Sequence, residues 1–172
     1  NWTVDNQCFT GSKATPSTWH GTHVAGTIAA IANNNEGIAG VAPEAKIVPV
    51  RVLGACGGFD SDITDGIIWA AGGSVRGVPA NQNPAQVINM SIGSEGTCTT
   101  PYRQAIAQAN KRGSIVVVAA GNNNFDASKS SPGNCEDVIT VGATDKNGKR
   151  SYFSNYGSRV DVSAPGGDRR YW

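Results

Sequence analysis

Charge is scarce in this chain: only 16% of its 172 residues are Asp, Glu, Lys or Arg, and 14 basic side chains nearly balance 13 acidic ones. With the basic residues scattered, there is no electrostatic footprint for nucleic acid or for an anionic membrane. Long apolar runs are also lacking. None approaches the roughly 18 residues that a spanning helix needs, and no signal peptide opens the sequence, so the chain reads as soluble and already processed or trimmed. Internal repeats and low-complexity tails are absent. Histidine is limited to two residues, so any imidazole chemistry rests on His20 or His23. Close cysteine pairs are missing too, because Cys8, Cys56, Cys98 and Cys135 stand too far apart for a zinc or CxxC redox site. An even number of cysteines in glycine-rich loops is better explained by two disulfides in an oxidising compartment, with all three pairings open.

What is abundant is glycine, 22 residues, alongside clusters of Asn, Ser and Thr that predict many tight loops. The length suits one domain, or a large part of one, with room for a substantial core. Periodicity predicts a helix over residues 20–32, with Val24, Ile28 and Ile31 on one face and His20 at its leading end. The polar loop Asn33-Asn34-Asn35-Glu36-Gly37 ends it. A buried strand is expected over 45–53, a helix over 60–71, strands over 87–90 and 115–118, a helix over 101–112 and a strand over 138–141. Continuous β-branched runs between helices predict an α/β fold, a doubly wound parallel sheet flanked by helices on both sides. The Gly-, Pro- and Asn-rich stretch 72–84 reads as a surface excursion.

His20 opens its helix in Trp19-His20-Gly21-Thr22-His23-Val24-Ala25-Gly26-Thr27, a placement suited to a catalytic base. In an open parallel sheet the chemistry collects at the carboxyl ends of the strands. There the chain carries Gly54-Ala55-Cys56-Gly57-Gly58, Ser91-Ile92-Gly93 and Ala119-Ala120-Gly121-Asn122. These small residues let another backbone approach closely, and an extended peptide could add as a strand along such edges. Asn122 brings a side-chain amide to the same rim, where it could donate to a developing oxyanion.

These segments, with Gly40-Val41-Ala42-Pro43, Val87-Ile88-Asn89-Met90 and Ser163-Ala164-Pro165-Gly166, closely resemble the subtilisin-like serine proteases, or subtilases. The resemblance implies acyl transfer, with His20 as general base, Asn122 as the oxyanion-hole side chain and His23 as a structural residue facing the helix interior. It implies that Gly57, Gly58 and Phe59, together with Ser91, Ile92 and Gly93, sandwich the substrate backbone. Ala119, Ala120 and Gly121 would form one wall of the specificity pocket. Phe59, Ile92 and the small alanines suggest cleavage after large apolar residues. The expected partners are protein or peptide substrates and a propeptide or protein inhibitor, for a secreted monomer. By the same resemblance Cys8 pairs with Cys56, and within that frame proximity near the rim of the specificity pocket would join Cys98 to Cys135.

The resemblance also shows what is missing from the sequence. The family's Asp-Ser/Thr-Gly segment has no counterpart before His20, and Asp5 in Thr3-Val4-Asp5-Asn6 reads as a loop residue. The Gly-Thr-Ser-Met-Ala segment is likewise absent after Gly166. Ser91 lacks the first glycine of a Gly-x-Ser-x-Gly elbow and does not substitute for it. The expectation is therefore a partial catalytic domain, truncated at both ends, with exposed core surface and no peptidase activity by itself. Residues 168–172 carry no family signature. A structural Ca2+ is implied at the loop after the first helix, held by Asn34 through its side chain and by the carbonyls of Ala32, Glu36 and Ile38. Asp60, Asp62 and Asp65 are read as a helix N-terminus that favours negative charge. Two other classes compete. One is a metal-dependent hydrolase using His20 and His23, which lacks His-Glu-x-x-His; the other is a non-catalytic peptide-binding relative.

Overall fold

The computed structural model describes residues 2–168. They fall into two compact units, Asn1–Ile63 and Thr64–Trp172. The first unit is organised around α1 (His20–Ala29), which begins after Trp19 adopts a left-handed conformation at φ 54°. The helix is three residues shorter than its apolar period predicts, and hydrogen bonding explains where it stops. Ala30 turns extended, and the chain folds back so that the N–H groups of Gly40, Val41 and Ala42 bond to the carbonyls of Ala30, Thr27 and Ile28 at 2.9, 3.0 and 2.8 Å. The returning segment thereby satisfies carbonyls that every helix end leaves without partners. Glycine is required at position 40, because a Cβ there would lie 2.5 Å from the Ala30 nitrogen.

The strand expected over 45–53 does not form: these residues take no regular secondary structure. Ile47 and Val50 are exposed instead of buried. A strand exists only where a neighbour completes its ladder, and no described segment pairs with this one; the isolated bridge of Gly54 with Gly57 lies just past its end. The next helix, α2 (Asp60–Ala70), has Asp60 and Asp62 in its first turn, where the dipole favours them, while Asp65 lies beyond it. Ile63, Ile67 and Ala70 form its buried stripe.

The second unit is built on a parallel sheet of β1 (Val87–Met90), β3 (Ile115–Ala119), β5 (Ile139–Thr144) and β6 (Val162–Pro165), in the order β1-β3-β5-β6. A two-stranded antiparallel ribbon, β2 (Ser94–Glu95) with β4 (Ser130–Ser131), stands beside it in the topology. Helix α3 (Thr100–Lys111) starts with a proline in its first turn and places Lys111 at its C-terminal end, both favourable positions. Its buried residues Tyr102, Ala105, Ile106 and Ala109 follow the helical repeat, and the helix packs on β3. The sheet buries Ile88, Met90, Val116, Val118 and Thr140 on one face. Alternate residues point the other way. Val87, Ile115, Ile139 and Val162 on that opposite face are exposed, so the run of β-branched residues does not mean burial on both sides here. No helix among the described residues is long and apolar enough to cross a membrane.

Candidate active site

The second unit gathers two of the predicted segments at one rim. Because β1 and β3 pair in parallel with Met90 opposite Val118, Ser91 and Ala119 leave the same carboxyl edge side by side. Asn122 lies three residues beyond β3, with its side chain exposed and without a hydrogen bond among the described residues. A free amide at the mouth of a depression can serve an incoming ligand. Ala119, Gly121, Asn122, Ala143, Phe153 and Gly166 line such a depression, of about 350 Å³. Ser91 is half-buried, and its hydroxyl accepts from the Asn89 amide at 3.0 Å. Among the described residues no basic side chain is hydrogen-bonded to it. Gly93 runs close to β4, where a Cβ would lie 3.2 Å from the Ser131 carbonyl oxygen.

The turn that delivers Asn122 depends on Gly121 at φ 105°, a conformation that L side chains rarely adopt. The loop after it is laced to a segment far away in sequence, residues 150–157, which sequence reading did not connect with the site. Asn124 donates from its backbone to the Phe153 carbonyl at 2.9 Å, and Ala127 to that of Tyr156 at 2.7 Å. The loop ends at Asp126, whose carboxylate accepts from the Ser128 N–H at 2.9 Å. That backbone hydrogen bond, aided by the Ser128 hydroxyl and then by Lys129, holds the Asp126 pKa below its ordinary 3.8.

The first unit carries the other predicted groups. His20 is the first residue of α1 and is exposed, and its backbone N–H reaches the Thr18 hydroxyl at 3.4 Å. His23 is exposed as well, rather than facing an interior. The Asp5 carboxylate accepts from the Ala14 N–H at 2.7 Å and faces Lys13 at 3.7 Å, contacts that organise the N-terminal loop. Gly57 closes a tight turn over Ala55 and Cys56, in which the Gly54 N–H bonds to the Gly57 carbonyl at 2.7 Å, and Gly58 follows it. A Cβ on Gly58 would collide with the Val52 carbonyl. Phe59 follows with 78% of its surface exposed. The polar loop after α1 encloses about 200 Å³, lined by residues 33–39 and Ile31. Asn34, Glu36 and Ile38 are among the lining residues, and Ala32 is not. The Asn34 side-chain oxygen accepts from the Glu36 N–H at 3.1 Å. No cluster of three His, Cys, Asp or Glu side chains suited to a metal occurs among the described residues.

Both disulfides join the pairs expected. Cys8 bonds to Cys56 across a Cα separation of 5.2 Å, and Cys98 bonds to Cys135 across 5.1 Å.

Comparison with known proteins places this geometry among its relatives. The model of the Subtilase family of peptidases matches residues 3–172. An extracellular protease of Xanthomonas campestris pv. campestris is 56% identical over 166 residues, which is 96% of this chain and 29% of that protein. An extracellular basic protease of Dichelobacter nodosus is 59% identical over 87% of this chain and 25% of its own length. Among solved structures, that of a protease from Pseudoalteromonas arctica superposes with a TM-score of 0.93 at 57% identity, covering 97% of this chain and 49% of that one. A cold-adapted subtilisin-like serine proteinase covers 86% of this chain with a TM-score of 0.68 at 40% identity. The chain thus spans between a quarter and a third of these curated relatives. A strand-end glycine turn presenting a free asparagine, a histidine at the head of a small-residue helix, and a family match over residues 3–172 lead to one conclusion: this chain belongs to the subtilase family of serine proteases.

Proposed function

We propose that these residues belong to an extracellular endopeptidase that hydrolyses peptide bonds through a serine acyl-enzyme, with His20 as general base and Asn122 donating to the oxyanion. The observation that carries the reading is the Asn122 amide, exposed and uncommitted at the carboxyl edge of β3 beside the Ser91-Ile92-Gly93 backbone. A donor carried on a turn whose backbone is already held needs little reorganisation as negative charge develops on the substrate carbonyl oxygen. His20 would accept the nucleophile's proton and return it to the leaving amine, and an aspartate and a serine would complete the set. The Asp5 carboxylate is engaged in its own loop, and no base among the described residues is hydrogen-bonded to Ser91, which supports leaving both out of those roles. Two disulfides and the extracellular proteases among the relatives support an oxidising, extracellular setting.

Residues 1–172 as an isolated polypeptide should not turn over substrate, because triad members act as a unit and losing one costs several orders of magnitude. A chromogenic peptide with a large apolar residue before the scissile bond tests this directly. The complete gene product should cleave it, and a serine-directed inhibitor should abolish cleavage. The isolated 172 residues should give no signal above buffer. Inhibitor-sensitive turnover by the isolated piece would overturn the assignment of roles, and a complete product that binds the peptide without cleaving it would favour a non-catalytic relative.

The loop at 32–38 supports a structural Ca2+, since Asn34, Glu36 and Ile38 already line one concavity and offer only hard oxygen donors. Asn34 would contribute a side-chain oxygen, and Ala32, Glu36 and Ile38 their carbonyls. If so, adding a chelator to the complete product should lower its melting temperature by several degrees, and Asn34→Ala should cancel that response. An unchanged melting temperature with chelator would remove calcium from this loop.

A further inference from the structure

We propose that Asn155 is a positioning residue for the oxyanion donor. The inference rests on the assignment of Asn122 to the oxyanion hole. Asn155 lies 33 residues from Asn122, in the segment that follows β5. It is 1% exposed, and every polar atom of its side chain that could organise the loop is spent on doing so. Its amide N–H donates to the Ala120 carbonyl at 2.8 Å. Its amide oxygen accepts from the backbone N–H of Asn123 at 2.9 Å and of Phe125 at 3.3 Å. Its own backbone N–H donates to the Gly121 carbonyl at 2.9 Å. Residues 120, 121, 123 and 125 are therefore all held by one side chain and its backbone, and Asn122 is the residue in the middle left free.

This arrangement does two things. It satisfies backbone groups of a sharp turn that would otherwise be buried without partners. It also fixes the direction in which the Asn122 side chain leaves the turn, because bonds on both sides of residue 122 hold the backbone that carries it. Gly121 and Asn155 are in such close contact that a Cβ on Gly121 would strike the Asn155 amide, so the two residues define one another's position. Ser154 anchors the other side: its hydroxyl accepts from the Ala143 N–H on β5 at 2.9 Å and donates to the Asn155 carbonyl at 2.9 Å. The turn is thereby referenced to the sheet rather than to solvent.

The test is a double-mutant cycle in the complete gene product, followed by kcat and KM on the chromogenic peptide well below the melting temperature. Removing an oxyanion donor costs about 10²–10³ in kcat, and misplacing a reacting group by an ångström can cost about 10²-fold. Asn155→Ala should therefore lower kcat roughly 10- to 100-fold with KM changed less than about two-fold. In an Asn122→Ala background the same substitution should change kcat by less than about two-fold, since there is no donor left to aim. Asn155→Asp keeps the shape and both acceptor bonds while losing the donor to Ala120. Because a second oxygen then faces the Ala120 carbonyl, its loss of kcat should be at least as large as that of Asn155→Ala, and that loss should again vanish in the Asn122→Ala background, read in whichever variant circular dichroism shows to be folded. Equal losses in both backgrounds, or wild-type kcat in the folded variants, would overturn the inference. A wild-type product without any turnover would instead remove the protease reading beneath it.

Discussion

Gly121 is where backbone conformation and packing meet, and its neighbours allow the two contributions to be separated. At φ 105° any side chain would be strained, and a Cβ would also lie 2.8 Å from the Ser130 hydroxyl and against the Asn155 amide. Gly148 is the internal control, with φ 76° and open space where its Cβ would go. Gly148→Ala should cost only the conformational strain, about 1 kcal/mol. Gly121→Ala adds overpacking of about 1–3 kcal/mol to that strain. Urea denaturation of the two variants should place the Gly121→Ala midpoint clearly below the Gly148→Ala midpoint, and equal midpoints would mean that the close contact relaxes freely. Residues of this kind differ in how legible they are in sequence. Asn122 could be found because it stands in Ala119-Ala120-Gly121-Asn122, directly after a strand, where chemistry collects in such sheets. Asn155 gave no signal, because its partners are 30 to 35 residues away and are backbone groups, which leave no trace in side-chain pattern. His20 was placed correctly at the head of its helix, and the arrangement of its chemical partners could not be read from pattern alone.

Elements were legible where their stabilisation is local and obscure where it depends on a neighbour. The helices at 60 and 100 and the strands at 87 and 115 all appear within a residue or two of the expected bounds, since their apolar spacing and flanking glycines act within a few residues. Strand β5 begins one residue late and runs to Thr144, three past the expected end, because β6 supplies partners for Val141, Gly142, Ala143 and Thr144. The two-residue strands β2 and β4 were not anticipated at all, being too short to show a period. Strand β6 was visible only as the Ser163-Ala164-Pro165-Gly166 motif. The segment 45–53 shows the opposite error. Its composition is that of a strand, yet without a paired neighbour it takes no regular structure and leaves Ile47 43% exposed. In the helix at 20–29, the apolar period continued past the point where Gly40, Val41 and Ala42 took over the helix carbonyls. Pattern reports what a segment prefers, and hydrogen-bond supply from elsewhere decides where the element ends.

At the scale of the whole molecule, the two units are stabilised by different means. Residues 64–168 bury most of the apolar core, with Ile67, Ile106, Val116 and Val118 all at 2% exposure or less. Among residues 2–63, only Thr3 and Ile63 are buried, and α1 buries none of its residues. A unit that removes so little apolar surface from water gains little from the hydrophobic effect. Its covalent tie should then dominate. Each disulfide closes a loop within a single unit, Cys8 to Cys56 over 48 residues and Cys98 to Cys135 over 37. Restriction of the unfolded chain is worth about 4 kcal/mol for loops of either length. The same stabilisation is thus nearly everything for the first unit and a modest fraction for the second. Hydrogen exchange on the 172-residue chain should separate them. With Cys8→Ser and Cys56→Ser together, amides of α1 should exchange close to the rate of an unfolded chain, while those of β1, β3 and β5 keep their protection. With Cys98→Ser and Cys135→Ser together, β3 and β5 should exchange faster yet remain measurably protected, and α1 should be unchanged. Persistent protection in α1 after loss of the first bridge would show that non-covalent contacts, rather than the disulfide, hold that unit together.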